Sequence, residues 1–173
     1  MERTTFVADL LIAHRRQIVR AVIDRTGDRV RLDAAATESL PELVADLSVI
    51  FIAIARGIGG DGVKAIVSTE VRQAILRHAG IRRSQGLSPA ALVDEYLDLG
   101  DSMVRFVEKQ SRQVMLSGSD SVPITCILHE LVNRVVRTVV QECMQWRAAD
   151  ASLRGSSPTA STVRSYERIG LSC

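Results

Sequence analysis

Apolar residues recur at helical spacing along most of the chain, broken by short polar interruptions and lost near the C-terminus. From Thr4 to Arg25, Val7, Leu10, Leu11, Ile18, Ala21 and Val22 form one stripe, which Thr26-Gly27-Asp28 is expected to end. Ser39-Leu40-Pro41-Glu42 reads as a capping box reinforced by proline and opens a second helix to about Arg56. After Asp46 that helix is apolar on nearly all sides, so it should be the most enclosed element. A third helix, Val63 to Ser84, places Val67, Val71, Ala74, Ile75, His78 and Ile81 on one side. Ser88-Pro89 starts a fourth: Leu92, Tyr96, Leu99, Met103, Phe106 and Val107 face one way, Asp94, Asp98, Asp101, Arg105 and Glu108 the other. Ser117 to Ser121 reads as a loop, and Pro123 as the start of a long fifth helix. Its stripe is Ile124, Leu128, Leu131, Val135, Val139, Cys143 and Trp146.

A second apolar line on that last helix, Val132, Val136 and Val140, exceeds what one neighbour needs. It is the expected interface of a homodimer. From Asp150 the periodicity stops, and Ser and Thr supply eight of the last 24 residues. The expectation is therefore an all-α bundle of about five helices over residues 1–149. Residues 150–173 follow as a flexible Ser/Thr-rich tail or linker.

The third and fourth helices meet at Ser84-Gln85-Gly86-Leu87, with Gly86 suited to the left-handed position past a helix end. So short a turn predicts antiparallel neighbours. His78 lies eight residues before Gly86 and Glu95 nine after it. With about 1.5 Å of rise per residue on each arm, His78, Glu95 and Tyr96 should share one level. Arg82, one turn further along, can reach the same carboxylate. A buried polar side chain without a partner costs about 1–3 kcal/mol, so direct bonding is expected.

Composition narrows the functional classes. Hydrophobic content of 46% with only 3% aromatics means a core of Leu, Ile, Val and Ala, with few rings for stacking bases. A net charge of +2 without a basic run gives no electrostatic case for nucleic acid. Three cysteines without framework spacing point to a reducing cytoplasm. Cys126 and Cys143, about 25 Å apart by helical rise, cannot pair. The N-terminus lacks a signal-peptide core. The greasiest run, Leu47 to Ala55, is far shorter than the roughly 20 residues of a membrane crossing.

Specific chemistry is sparse. Gly57-Ile58-Gly59-Gly60-Asp61-Gly62 could cradle a phosphate, but neither a strand nor a Gly-Lys-Ser/Thr accompanies it, so a flexible connection is expected. The aspartates of the fourth helix read as a solvated ladder, and His14 as a core-edge histidine with a backbone partner. Cys126-x-x-His129 is too little for zinc, since Cys126 tends inward and His129 outward. No cofactor, no metal and no nucleophile with its base are expected.

His78, Arg82, Gly86, Leu87, Ser88, Leu92, Glu95, Tyr96 and Leu99 form the pattern H-x-x-x-R-x-x-x-G-[LF]-S-x-x-x-L-x-x-E-Y-x-x-L. It resembles the N-terminal domain of RsbR-type antagonists in bacterial stress signalling, also found ahead of some sensor histidine kinases. Leu40-Pro41-Glu42-Leu43 and Leu131-Val132-Asn133-Arg134 echo it, so the likeness spans roughly Thr5 to Arg147. The resemblance implies a non-catalytic sensing and interaction module, globin-like as one form of its bundle, regulating a kinase or an anti-sigma partner switch. Its partner would be a kinase or a STAS-type protein, and His78, Arg82, Glu95 and Tyr96 its candidate network. The alternative is a histidine phosphoacceptor or phosphotransfer module, or a histidine-kinase dimerisation fragment, using His129 or His78. His129-Glu130-Leu131-Val132-Asn133 resembles a histidine-kinase phosphoacceptor box, with Arg134 where proline belongs. His78-Ala79-Gly80-Ile81 lacks the lysine and following glycine of phosphotransfer domains.

Overall fold

The helical periods become six α-helices in a computed structural model that describes residues 3–30, 39–113 and 118–155. They are α1 (Arg3–Val30), α2 (Leu40–Arg56), the single turn α3 (Val63–Ile66), α4 (Thr69–Ser84), α5 (Pro89–Gln113) and α6 (Gly118–Gly155). Among the described residues there is no strand, so the all-α bundle stands, with five long helices.

Several ends differ from expectation. Thr26 does not stop α1: its hydroxyl donates to the Val22 carbonyl at 3.2 Å, it is buried, and the helix runs on to Val30. Ser39 makes no side-chain cap; only its carbonyl is used, by the Leu43 N–H at 3.0 Å. Residues from Gly118 are helical rather than looped, with Pro123 inside α6. At the sixth helical position Pro123 forfeits a single backbone bond. Residues 150–155 are also helical, because Ala148, Ala149, Ala151 and Leu153 favour helix even where amphipathic periodicity has ended. The rest of the expected tail, 156–173, lies outside the described residues.

The glycine run is a shaped joint, not a loose connection. Gly57–Asp61 forms one wide turn, closed by the Gly62 N–H on the Gly57 carbonyl at 3.1 Å. Gly60 and Gly62 have φ of +129° and +57°, where a side chain would be strained. The expected third helix is split. Val67 turns out to solvent at 69% exposure, leaving the stripe, and the Ser68 hydroxyl caps α4 by accepting the Val71 N–H at 3.3 Å.

The helices close a ring: α1 packs on α2 and α5, α2 on α4, and α6 on both α4 and α5. Leu11, Val22, Leu47, Phe51, Ile75, Leu99, Met103 and Leu131 fill its centre. The stretch Leu40–Asp61 is long and apolar enough to cross a membrane, well beyond the nine-residue run read from sequence. Over half of it is buried inside this ring. The short turn does not make α4 and α5 close neighbours as expected; their backbones pack on the other helices instead.

Helices α5 and α6 approach tightly at Gly100, where a Cβ would sit 2.9 Å from both Val132 methyls. Valine is stiff at χ1 and cannot yield. Gly100→Ala should therefore lower the denaturation midpoint, overpacking by about 1–3 kcal/mol against a helix-propensity gain of about 1 kcal/mol. Gly80→Ala on α4, with open space around it, should raise the midpoint. If both alanines stabilise, the α5–α6 contact is looser than described.

Candidate functional site

The turn between α4 and α5 is built by its sequence. Gly86, at φ +81°, lets the Leu87 N–H reach the Arg82 carbonyl at 3.0 Å and its own N–H reach Arg83 at 2.9 Å. The Ser88 hydroxyl then caps α5 by accepting the Ala91 N–H at 3.2 Å. Leu87 is buried beneath the turn.

This framework brings His78, Arg82, Glu95 and Tyr96 together, none of them more than 1% exposed. His78 Nε2 lies 3.0 Å from Glu95 Oε2 and donates to it, since a carboxylate oxygen can only accept. Arg82 Nε donates to the same oxygen at 3.0 Å, Arg82 Nη2 donates to Oε1, and Nη1 donates to Gln85 at 2.9 Å. The expected register and direct bonding are thus present. Burial alone would raise the Glu95 carboxyl, but hydrogen bonds and charge from His78 and Arg82 outweigh it and hold it below its ordinary value of 4.5. Tyr96 packs edge-on to His78, ring centroids 5.5 Å apart. Burial, then the charges of Glu95 and Asp46, push its phenol well above 10. His78 Nδ1 and Tyr96 Oη are buried with no hydrogen-bond partner.

One neighbour was not anticipated. Asp46, inside apolar α2, is 5% exposed and accepts from Arg77 Nε at 3.1 Å and Nη2 at 2.7 Å. The signal was available: a carboxylate in so apolar a helix requires a partner. Arg83 likewise does more than face outward, lying 5.1 Å over the Trp146 ring.

Other candidates lie apart from this network. His14 Nδ1 donates to the Leu10 carbonyl at 3.0 Å, and the ring packs on Phe106. Cys126 is exposed rather than inward, although the stripe Ile124, Leu128, Leu131, Val135, Val139 and Cys143 is buried as expected; His129 is exposed beside it. Among the described residues no three metal-ligating side chains converge. Val132 is covered by Gly100 within the chain and cannot serve a partner; Val136 is half-buried and Val140 exposed. His78, fully buried with Nε2 engaged, offers a phosphoryl donor no access.

No family model, no curated protein and no solved structure matches the chain.

Glu95→Ala leaves Arg82 and His78 buried without their acceptor and should cost about 3–5 kcal/mol, against little for exposed Asp94→Ala. Equal midpoints at equal m-value would dissolve the network. Because folding lowers the Glu95 pKa, its stabilisation is complete above the unfolded value and is lost as pH falls through the folded one. Glu95→Gln should flatten that part of the acid limb in urea titrations between pH 3 and 7, roughly the window around a carboxylate. An unchanged acid limb would assign it to other carboxylates.

Proposed function

We propose that the chain is a non-catalytic, cytoplasmic regulatory module of bacterial signal transduction, acting through protein contacts on a kinase or a partner switch. The observation that carries this reading is where the motif resides. Its polar members His78, Arg82 and Glu95 are turned inward on one another, and Gly86 and Ser88 build the turn that holds them. Such a motif stabilises a packed unit that can hold one arrangement of helices; it does not line an open cleft for turnover. The partner classes come from the motif's resemblance to RsbR-type domains.

Self-association is part of the reading, with the seam moved outward from Val132. Val140 and Met144 of α6, with Pro89, Ala90 and Val93 of α5, line an apolar groove, and Leu97 is exposed on the same helix. A symmetric partner would cover this surface. Light scattering should give a dimer for wild type at micromolar concentration and a monomer for Val140→Glu. A monomeric wild type sinks this part.

The second reading, phosphoacceptance, is favoured by one observation, the exposure of His129. Incubation with ATP and Mg²⁺ should yield no phosphoprotein. Titration calorimetry against the host's STAS-type proteins and their kinases should find a micromolar partner whose affinity Glu95→Gln alters. Acid-labile phosphate on His129, with no such partner, would replace the regulatory reading with the phosphotransfer one.

A further inference from the structure

A second concavity, on a different face of α6 from the apolar seam, opens between α3–α4 and α6 with a volume of about 370 Å³. Its floor is apolar: Ile66 and Ile75 are buried, Leu76 is half-buried, and Val67 stands exposed at the rim. Its walls are made of donors. Arg72 comes from α4, while Arg134, Arg137 and Gln141 come from one face of α6 at spacings of three and four residues.

The charges here are only partly offset, in contrast to several arginines elsewhere that each hold a carboxylate. Arg20, Arg77 and Arg105 each have a carboxylate, at 3.0, 2.7 and 3.7 Å. Arg134 is bonded to Glu130 at 3.3 Å. Among the described residues, Arg72 and Arg137 have no side-chain hydrogen bond or ion pair. The one carboxylate lining the groove, Glu142, accepts the Trp146 indole N–H at 3.1 Å. With three arginines and one glutamate, the groove carries the same formal charge, +2, as the entire chain.

We propose that this groove binds a small amphipathic anion, a single phosphate or carboxylate on a short apolar body. The head sits between Arg72 and Arg137, whose planar guanidinium groups suit two-point bonding to such oxygens. The body lies along Val67, Leu76 and Ile75. The volume falls in the range of small-molecule sites, and an apolar floor with a few converging polar groups is their usual composition. Binding stands on these residues alone and holds whether or not the chain regulates a kinase.

Isothermal titration of the intact protein with octyl phosphate and octanoate, both below micelle formation, is the test. Saturable one-to-one binding of either is expected, and which one binds identifies the head group. Arg72→Gln and Arg137→Gln should each weaken it roughly tenfold or more, the effect of losing one charge-assisted contact. Arg16→Gln on α1, exposed and outside the groove, should not. Val67→Ser should weaken octyl phosphate while leaving any inorganic phosphate binding unchanged. All four positions are exposed, so their variants fold. Absence of saturable binding overturns the proposal, as does inorganic phosphate binding as tightly as octyl phosphate. So does equal weakening by Arg16→Gln. Co-sedimentation with phosphatidylglycerol vesicles without binding of monomeric octyl phosphate would instead make the face a membrane-surface contact.

Discussion

The carboxylate of Glu95 is the constraint around which the bundle is arranged. A negative charge with no solvent exposure is tolerable only if its hydrogen bonds are made and its charge offset. Arg82 and His78 supply both from one helix to the next. Arg82 serves three purposes at once: two donors to Glu95, one to Gln85, and its own carbonyl to the Leu87 N–H that closes the turn. The turn's backbone and the network's side chains therefore depend on one residue. The same bonds account for the separation of α4 and α5. Long polar side chains fill the space between them, so each backbone packs on α6 and on a further helix instead.

What was legible in the sequence was local. The register of His78 against Glu95 required only helical rise and the position of Gly86, both set within twenty residues, and the 3.0 Å contact follows from them. Failures arose where two local structures competed or where a distant element decided. Thr26 stays helical because its hydroxyl finds the Val22 carbonyl in a buried setting, despite the glycine and aspartate that follow. Val67 leaves its stripe because Ser68 can cap a new helix, a choice between two acceptable local structures. Val132 looked surplus to α6 only because nothing in the chain announces that Gly100, on another helix, leaves a notch of its size. Asp46 and Arg77, 31 positions apart, have no local relation at all.

Helix α4 joins the two sites. Its Ile75 is a buried wall of the arginine-rimmed groove, and His78 lies one turn further along the same helix. Displacement of α4 along its axis would disturb both the groove and the carboxylate bonds. A packed interior transmits such movement rather than absorbing it, because its side chains have few alternative placements.

The apolar stretch Leu40–Asp61 has a bearing on how the chain is made. Synthesis is vectorial, and domains acquire structure as they emerge from the ribosome. Of the helices that cover this stretch, only α1 precedes it; α4, which carries the arginine for Asp46, and α6 come afterwards. For the time needed to make those later segments, a helix greasy enough for a bilayer is half dressed. Asp46, still unpaired, is then a charge in the first third of that stretch, where it weighs against burial in hydrocarbon. Until Arg77 arrives, that carboxylate is a charge without its partner on a helix with one flank bare, and the ion pair closes only when α4 folds against α2.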